Sequence, residues 1–386
     1  MRRILHFMAD IHVSSGMAAV VMNYYRHIDR SRVQFDFLYF EDGPLTYAQE
    51  IESLGGRVFL IPRPGPSSMG AIREFFREHQ GEFSVLHCHP IWSAAVLEPV
   101  ARRFGIRAVF LHSHSDKPGE SAASILRNRL MLRMSAGKVD ACLACSHAAE
   151  AALMGIPSSV HILPNAIDAH AFSFDAEARR ACRNELGIAE DTPVVGNVGR
   201  MVEVKNHRFL LEAFALYRRA VPAAQLLLIG GGPLESELRA LAAELGIQDC
   251  VHFLGSRRDT ARLYSAMDVF AMPSLVEGQS MALLEAQAAG LPCVVSDTIS
   301  PESDVTGRTD RLPLDQPQQW ADALSARLRA PADRSQSVTD AFARRNPHRR
   351  RRADGALRKS MINGTFLHQS GLYGAAVRAG GQTRNT

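Results

Sequence analysis

Two glutamates, Glu277 and Glu285, flank a short segment with the residue types of an anion-binding turn. The segment EGQSMALLEAQAAG predicts a glycine-containing turn followed by a helix, which Ser280 can cap and Gly290 can end. Helix N-termini attract anions, so the turn favours a phosphate, while the carboxylates can accept pairs of sugar hydroxyls. A nucleotide sugar offers both, because its diphosphate lies between two hydroxylated rings. Ordinary surface acids on a helix are the alternative for this segment alone.

The backbone at the start of this predicted helix, and cations upstream, could hold such a diphosphate. We expect the backbone N–H groups of Gln279, Ser280, Met281 and Ala282 to be able to cradle a diphosphate. Earlier in the same half, a predicted strand leads to Arg200 and Lys205, two cations that can neutralise a leaving diphosphate. The sequence has no D-x-D, the usual carboxylate pair of a Mg²⁺–nucleotide site, so we predict that no metal takes part. A solvated basic loop is the alternative for the two cations.

Three consecutive glycines, Gly230 to Gly232, follow another predicted strand and precede a helix. Pro233 and Leu234 come next, so the run lacks the G-x-G-x-x-G pattern of dinucleotide sites. A nicotinamide oxidoreductase is therefore a poor interpretation. Two interpretations of the glycines stay open, a close approach of the backbone to a nucleotide and a tight turn.

Short apolar strands alternate with helices in both halves of the 386-residue chain, which predicts parallel, doubly wound sheets. We interpret the segment 176–193 as an interdomain connection, after which the alternation restarts. The sequence therefore predicts an N-terminal α/β domain over 1–180 and a C-terminal α/β domain over 190–335. Ligands of such sheets bind beyond the carboxyl ends of the strands, and two such domains in tandem are expected to leave a cleft.

The composition is that of a mildly basic globular protein. The apolar fraction is 46% and the formal net charge is +4, which is weak evidence for anionic partners and no argument for nucleic acid. The six cysteines are scattered, as in proteins of a reducing compartment. Cys142 and Cys145 form a C-x-x-C near His147, for which a zinc or redox site is one interpretation, but we favour a buried strand of small residues. We find neither a signal peptide nor a transmembrane run, and we expect a cytoplasmic protein.

Taken together, these motifs resemble the retaining glycosyltransferases of family 4, which have the two-domain GT-B architecture. The resemblance covers roughly residues 3–325 and includes the segments GNVGRMVEVKNH, LLLIGGGPLESELRALAAELGI, VHFLGSRRD and ILPNAID. It implies an α/β fold of two Rossmann-like domains that face each other across a cleft. The segment SSGMAAVVMNYYRHIDRSRVQFDFL is similar to the N-terminal part of capsular and exopolysaccharide members.

The resemblance implies roles for residues of the C-terminal half. Glu277 would contact hydroxyls of the transferred sugar, and Glu285 would hold the ribose diol. Arg200 and Lys205 would bind the diphosphate of a UDP-sugar, which is the donor substrate, and no cofactor is expected. Backbone donors and residues near the nucleotide would complete the site, namely Gln279, Ser280, Met281, Ala282, Gly231, Ser256 and Arg257.

The resemblance implies two more site residues in the N-terminal half. Gly16 would let the diphosphate and the acceptor approach, although Ser15 replaces the first glycine of the family's usual Gly-Gly turn. His114 would lie near the reacting carbon; without the resemblance, a single histidine after a strand is interpreted as structural. Weaker candidates are His87, His89 and His112. We expect these histidines on separate loops and therefore predict no metal site.

The function implied by the resemblance is transfer of a hexose or N-acetylhexosamine, with retention of configuration, to a glycan or lipid-linked glycan acceptor in surface-polysaccharide biosynthesis. A sugar-nucleotide epimerase or phosphorylase of the same fold is one alternative. Another is a chain that binds nucleotide without turnover, because an Arg-rich tail at 342–386, expected to be poorly ordered or frame-shifted, replaces the family's usual terminal helix.

One further segment bears on location. SILRNRLMLRMSAGK mixes large apolar residues with four cations, which is typical of a helix on an anionic membrane surface. This interpretation predicts a peripheral position on the inner face of the cytoplasmic membrane. The alternative is a surface helix with one stripe facing the core.

Overall fold

The computed structural model of the chain describes residues 1–115, 117–119, 121–153, 160–329 and 334. They fall into two compact units, one ending at Ala166 and the other beginning at Ile167, which is before the predicted boundary at 180–190. The predicted connection at 176–193 is instead part of the second unit. Its helix, Ala176–Glu185, belongs there because Cys182 is buried among side chains of that unit. The predicted basic tail, 342–386, lies outside the described residues.

The first unit contains a seven-stranded parallel sheet with strand order β3-β2-β1-β4-β5-β6-β7. Helices connect the strands, as the alternating pattern predicts. Its elements are β1 Arg2–Phe7, α1 Gly16–His27, β2 Val33–Tyr39, α2 Ala48–Ser53, β3 Val58–Leu60, α3 Met69–Glu78, β4 Val85–Cys88, α4 Ser93–Arg103, β5 Ala108–Ser113, α5 Ala122–Ser135, β6 Ala141–Ala144, α6 His147–Glu150 and β7 Val160–Ile162.

The second unit contains a six-stranded parallel sheet with strand order β10-β9-β8-β11-β12-β13. Both sheets are thus of the predicted parallel α/β type. The elements of this unit are α7 Ala176–Glu185, β8 Val194–Val198, α8 His207–Ala220, β9 Gln225–Ile229, α9 Glu235–Glu244, β10 Val251–Phe253, α10 Thr260–Ala266, β11 Val269–Met272, α11 Met281–Ala288, β12 Cys293–Ser296, β13 Thr309–Leu312 and α12 Pro317–Arg329.

Burial explains why the strands are short apolar runs. In a parallel sheet covered on both faces, every strand residue meets a packed layer, so the strands lose the polar–apolar alternation of half-exposed strands. Phe7, Leu86 and Leu111, on neighbouring strands of the first unit, pack in one core with Phe76 of α3 and Leu97 of α4. In the second unit, Leu226 and Val269 pack in one core with residues of α8, α9 and α12.

The cysteine-rich segment and the membrane question have direct answers in the described residues. The six cysteines all lie in this part of the chain, where they are buried and form no disulfide. Cys142 lies within β6 and Cys145 directly after it, so the prediction of a buried strand is confirmed. Among the helices that the structure describes, none is long and apolar enough to span a bilayer.

The carboxyl ends of neighbouring strands position the candidate residues within each unit. In the second unit, β8 lies between β9 and β11, and the segments that follow these strands contain Lys205, Gly231 and Glu277. In the first unit, β1, β4 and β5 are neighbours, and the segments after β1 and β5 contain Gly16 and His114. Loops that follow parallel neighbours meet at one edge of a sheet, which is where ligands of such sheets bind.

Candidate active site

Lys205 and Glu277 form an ion pair at the carboxyl edge of the second sheet. Lys205 ends a single 3₁₀ turn, Glu203–Lys205, after β8, and its Nζ donates to Oε1 of Glu277 in the loop after β11. The hydroxyl of Ser274 donates to the same carboxylate oxygen at 2.8 Å. The side chains of Lys205 and Glu277 are 25% and 11% exposed, so a ligand can still reach the pair. The pair thus places a cation and a hydroxyl acceptor side by side, an arrangement suited to a ligand with both a phosphate and a sugar.

Arg200 lies close to the glycine turn. Its side chain is exposed, and the backbone N–H of the next residue, Met201, donates to the carbonyl of Gly231 at 2.9 Å. A second bond runs from the N–H of Gly199 to the carbonyl of Ile229 at 2.9 Å. The segments after β8 and β9 are therefore joined backbone to backbone.

The turn requires glycine at two of its three positions, Gly230 and Gly232, and not at Gly231. A Cβ on Gly230, whose φ is +131°, would lie 2.1 Å from the carbonyl oxygen of Gly199. A Cβ on Gly232 would lie 2.4 Å from the carbonyl oxygen of Met201. These two residues must be glycine because the two backbones touch. At Gly231 the nearest atom is the Ser256 hydroxyl, 3.6 Å from a built Cβ, so the tight turn does not explain this glycine and approach of a ligand remains open.

The start of α11 is as predicted in position but not in capping. Ser280 is the N-cap residue, yet its side chain makes no capping hydrogen bond and its hydroxyl instead donates to Met272 Sδ at 3.4 Å. The predicted cap is wrong because Ser280 is buried against β11. The helix ends at Ala288, two residues before Gly290, which has φ +72°. Without a side-chain cap, the first N–H groups of α11 can serve an anion.

Glu285 lies within α11 and is bonded to a buried tyrosine. The hydroxyl of Tyr264, on α10, is 3.0 Å from Glu285 Oε2 and 3.1 Å from the carbonyl oxygen of Ala282. Burial raises the pKa of Glu285 to about 7, and the hydrogen bond from Tyr264 opposes this shift. Burial deprives the Glu285 carboxyl group of hydrogen bonds to water. Because the residue is still partly accessible, hydroxyl groups of a ligand could donate hydrogen bonds to it instead.

Ser256 and Arg257 follow β10 at the same sheet edge. Ser256 is exposed. The guanidinium of Arg257 donates two hydrogen bonds of 2.8 Å to Asp259, which also accepts from Arg262 at 3.2 Å. These guanidinium groups hold the pKa of Asp259 below its usual value. Arg257 is thus tied to its own loop, and Ser256 is the more available of the two.

Gly16 is the first residue of α1 in the first unit. It is exposed, and no atom lies within 4 Å of the position that a Cβ would take. The preceding Ser15 has extended backbone angles and accepts a hydrogen bond from the N–H of Ala18 at 3.5 Å. Ser15 is therefore compatible with this turn, because it acts as the N-cap of α1.

His114 belongs to a cluster of five histidines on one face of the first sheet. The expectation that these histidines lie on separate loops is wrong. Along a strand, residues two apart point to the same face, so the pairs His87/His89 and His112/His114 come together with His6 of β1. Their ring centroids are separated by as little as 4.0 Å, between His112 and His114. Burial lowers the pKa of each ring, to about 4 for His114 and about 3 for His6.

Two residues of the site were not identified from the sequence. Ser274, three residues before Glu277, could have been found as a hydroxyl directly after an apolar strand. Tyr264 gives no such signal, because only the packing of α10 against α11 brings it to Glu285. Gly16 and His114 both belong to the first unit and are candidates of that unit alone.

Comparison with known proteins assigns both units to one class of enzymes. The family described as "Glycosyl transferase 4-like domain" matches residues 15–166, and "Glycosyl transferases group 1" matches residues 192–330. The putative glycosyltransferase EpsF of Bacillus subtilis is 35% identical over 354 residues, which are 89% of this chain and 92% of the relative.

More distant relatives differ in donor. A GDP-mannose-dependent alpha-(1-6)-phosphatidylinositol monomannoside mannosyltransferase of Mycolicibacterium smegmatis is 30% identical over 69% of this chain and 73% of the relative. An Escherichia coli UDP-Gal:alpha-D-GlcNAc-diphosphoundecaprenol alpha-1,3-galactosyltransferase is 24% identical over 73% and 76%. Among solved structures, Anabaena HepE in complex with UDP and glucose has a TM-score of 0.70, with 17% identity over 99% of each chain.

The solved neighbour supports the fold alone, and the long match to EpsF supports the family. The fold of the solved neighbour agrees with the two parallel α/β sheets of this chain. This chain therefore belongs to the family 4 glycosyltransferases of GT-B fold.

Proposed function

We propose that this chain transfers a hexose or N-acetylhexosamine from a UDP-sugar to a lipid-linked surface-polysaccharide acceptor, with retention of configuration and without a metal ion. The observation that carries the proposal is the Lys205–Glu277 pair at the carboxyl edge of the second sheet. A leaving diphosphate needs positive charge, and the transferred sugar needs hydroxyl acceptors. The pair supplies one of each.

The diphosphate would lie between the cations and the start of α11. Arg200 is exposed after β8, Lys205 is partly exposed, and the first turn of α11 has no side-chain cap. Backbone N–H groups of Gln279 to Ala282 would add donors, as at other helix N-termini that bind phosphate. These groups together would neutralise the leaving diphosphate, which is the support for a reaction without Mg²⁺.

The nucleoside would lie beyond the glycine turn. Gly231 has open space where a side chain would be, and Ser256 is the nearest residue to that space. Glu285, with its raised pKa, would hold the ribose diol once ionised, and Tyr264 would fix the carboxylate by its hydrogen bond. In the first unit, Gly16 and His114 are proposed to face the acceptor side of the reaction.

The base of the donor is the point at which a second candidate has support. HepE was solved with UDP and glucose, and the E. coli relative is named for UDP-Gal, whereas the M. smegmatis relative is named for GDP-mannose. UDP is proposed here, and a GDP-sugar is the alternative. The acceptor proposal draws on two of these names, because the M. smegmatis and E. coli relatives are named for lipid-linked acceptors.

The exposed surface of helix α5 is the support for a position at an anionic membrane surface. Leu126, Leu130 and Met134 are 73%, 55% and 47% exposed and recur every four residues, so they form one apolar stripe. Arg127, Arg129 and Arg133 are exposed on the same helix, and its sequence contains no Asp or Glu. An exposed apolar stripe with cations and no acids is suited to a surface of anionic lipid. On this ground we propose that the enzyme works at the inner face of the cytoplasmic membrane.

Thermal unfolding with a panel of UDP-, GDP- and ADP-sugars, without added metal, tests the donor proposal. A ligand at about 100 times its Kd stabilises a folded chain by about 2.7 kcal/mol. We expect a UDP-sugar to raise the melting temperature of the native chain but not of Glu285→Ala, while the exposed-site control Glu244→Ala responds like the native chain. Stabilisation by a GDP-sugar alone would correct the base. No stabilisation by any of the three, or equal stabilisation of Glu285→Ala, would overturn the donor site.

A further inference from the structure

The histidine cluster of the first unit has more nitrogen ligands than a single site residue requires. His6 of β1 lies opposite His87 of β4 in the sheet register, and β5 is the next strand along. His87 and His89 follow one another on the same face, as do His112 and His114. The rings are stacked or tilted at centroid distances of 4.5 Å for His87–His89, 4.9 Å for His6–His87 and 5.1 Å for His89–His114.

Hydrogen bonds between the rings require at least one neutral ring in each bonded pair. His6 Nδ1 is 3.0 Å from His89 Nε2, and His89 Nδ1 is 2.8 Å from His114 Nε2. Each contact requires one nitrogen with its proton and one with a lone pair, which two imidazolium rings cannot provide. Neutral imidazole nitrogen is the form that binds first-row metal ions.

His112 supplies the second, independent observation. It is 2% exposed, and neither of its ring nitrogens has a hydrogen-bond partner among the residues that the structure describes. Leaving a buried polar group without a partner is unfavourable, because the group gives up its hydrogen bonds to water and gains none in return. A lone pair held inside the cluster, next to the His89–His114 contact, is explained if a further group binds there.

We propose that His89, His112 and His114 together bind a divalent first-row transition-metal ion such as Zn²⁺. One ligand nitrogen from each residue lies within 4.8 Å of the other two. Tetrahedral Zn²⁺ with Zn–N distances of about 2.0–2.1 Å needs its ligand nitrogens roughly 3.3 Å apart, so side-chain rotations suffice. His114 is partly exposed, so an ion could reach the three rings from solvent on its side.

The protons of the ligands balance in this arrangement. His89 would bind through Nδ1 and keep its proton on Nε2, from which it donates to His6 Nδ1. His114 would bind through Nε2 and keep its proton on Nδ1. All three ligands stay neutral and no proton is released. His6 then has the place of an outer residue that orients a ligating histidine, a partner that metal-bound histidines commonly have.

The ligand set also predicts which ion binds. It contains nitrogen and no carboxylate, so it suits Zn²⁺, Co²⁺ or Ni²⁺ and disfavours Mg²⁺, which prefers oxygen. Three protein ligands leave a fourth position for water or another ligand. The proposal shares His114 with the acceptor side of the proposed function but shares nothing with the donor site, whose residues are on the second unit. Metal binding and donor binding are measured separately, so either can fail without the other.

The test is metal titration of the full chain, produced without a histidine tag and stripped with a chelator. We expect one equivalent of Zn²⁺ to bind in calorimetry, with Mg²⁺ giving no heat, and Co²⁺ to give the visible absorption of a tetrahedral complex. His112→Asn should weaken Zn²⁺ binding at least 100-fold. His6→Asn should weaken it 10- to 100-fold, because only orientation of His89 is lost. The control His161→Asn, an exposed histidine of β7, should bind like the native chain.

Whether the site exists is decided on the native chain alone, because the Zn²⁺ titration and the Co²⁺ spectrum do not require a variant that folds. A native chain that binds no Zn²⁺, or shows only an octahedral Co²⁺ spectrum, overturns the proposal. So does a folded His112→Asn, with a melting temperature near that of the stripped native chain, that still binds with native affinity. Loss of binding in His161→Asn would assign the ion to the surface and overturn it as well.

Discussion

The carboxyl group of Glu285 is predicted to make nucleotide binding depend on pH. Its pKa is raised to about 7 by burial, so it is mostly protonated at pH 6 and mostly ionised at pH 8. Only the ionised group accepts hydrogen bonds through both oxygens. We therefore expect the affinity for a UDP-sugar, whose diphosphate diester does not titrate in this range, to rise on the order of tenfold from pH 6 to pH 8. Calorimetry at both pH values measures the change, and a level or falling affinity contradicts it.

Removing the same charge is predicted to stabilise the fold. The folded pKa lies above the ordinary value of 4.5, so the folded chain binds more protons and loses stability as pH rises from about 4.5 to 7. Glu285→Gln should therefore be more stable than the native chain at pH 8, by about 1–3 kcal/mol in denaturant unfolding, and no more stable at pH 4. Glu244→Gln, an exposed carboxylate on α9, should change little at either pH. If Glu285→Gln were less stable than the native chain at pH 8, burial of the ionised Glu285 carboxylate would not destabilise the fold, and the prediction would be wrong.

At the level of residues, the sequence predicted chemical types better than contacts. Glu277 and Glu285 could be identified because they lie close together in the sequence, on one loop and the helix that follows it. The upstream cations could be identified because they directly follow an apolar strand. The direct Lys205–Glu277 contact could not, because it depends on β8 and β11 being neighbours in the sheet. Tyr264 was missed because only the packing of α10 against α11 brings it to Glu285. The Ser280 cap was wrong because burial of its hydroxyl overrides the local preference.

Among the elements, the glycine turn after β9 gives a sharp contrast between adjacent positions. Gly231→Val should leave the fold intact, since a Cβ meets only the Ser256 hydroxyl at 3.6 Å, but it should reduce UDP-sugar affinity at least tenfold by filling the proposed nucleotide space. Gly230→Ala should instead destabilise the second unit, because its Cβ would lie 2.1 Å from a carbonyl oxygen at φ +131°. Melting temperature and ligand affinity separate the two effects. Native affinity in Gly231→Val would remove the nucleotide from this turn.

Helix α5 makes a second prediction at this scale. The double substitution Leu126→Ser and Leu130→Ser removes most of the exposed apolar stripe without touching buried Leu132. We expect the native chain to sediment with vesicles containing phosphatidylglycerol and not with phosphatidylcholine alone, and the double variant to lose most of this binding. Leu60→Ser, which changes an exposed leucine of β3, is the matched control. Equal sedimentation of the native chain and the double variant would contradict a lipid-facing α5.

The order of strands and helices along the chain was predictable from the sequence, whereas the order of the strands within each sheet was not. The strand and helix alternation follows from runs of apolar residues and from glycines such as Gly55 and Gly290, both at positive φ after a helix. The histidines were misplaced because their strands were considered one at a time. Only the pairing of β1, β4 and β5 brings the two H-x-H segments onto one face.

For the whole molecule, the sequence predicted two α/β units and their sheet type because parallel sheets buried on both faces leave a strong pattern. The boundary was less accessible. The segment that begins at Ala176 is polar on one side and looked like a linker, but Cys182 and the buried Arg183 tie it to the second unit. Arg183 donates to Asp268 at 2.7 Å, a contact between residues far apart in the chain that no local pattern reveals.

The central claim is that this chain transfers a sugar through the Lys205–Glu277 site, and acceptor-dependent release of nucleoside diphosphate tests it most directly. The full chain would be given a UDP-sugar and diphosphoundecaprenol-linked N-acetylglucosamine, with and without Mg²⁺. We predict UDP release only with acceptor, equal with and without Mg²⁺, and a fall in kcat of roughly 10²–10³ in Glu277→Gln at unchanged melting temperature. The account would be contradicted if the native chain bound the UDP-sugar but released no UDP in the presence of acceptor. It would also be contradicted if Glu277→Gln turned over as fast as the native chain.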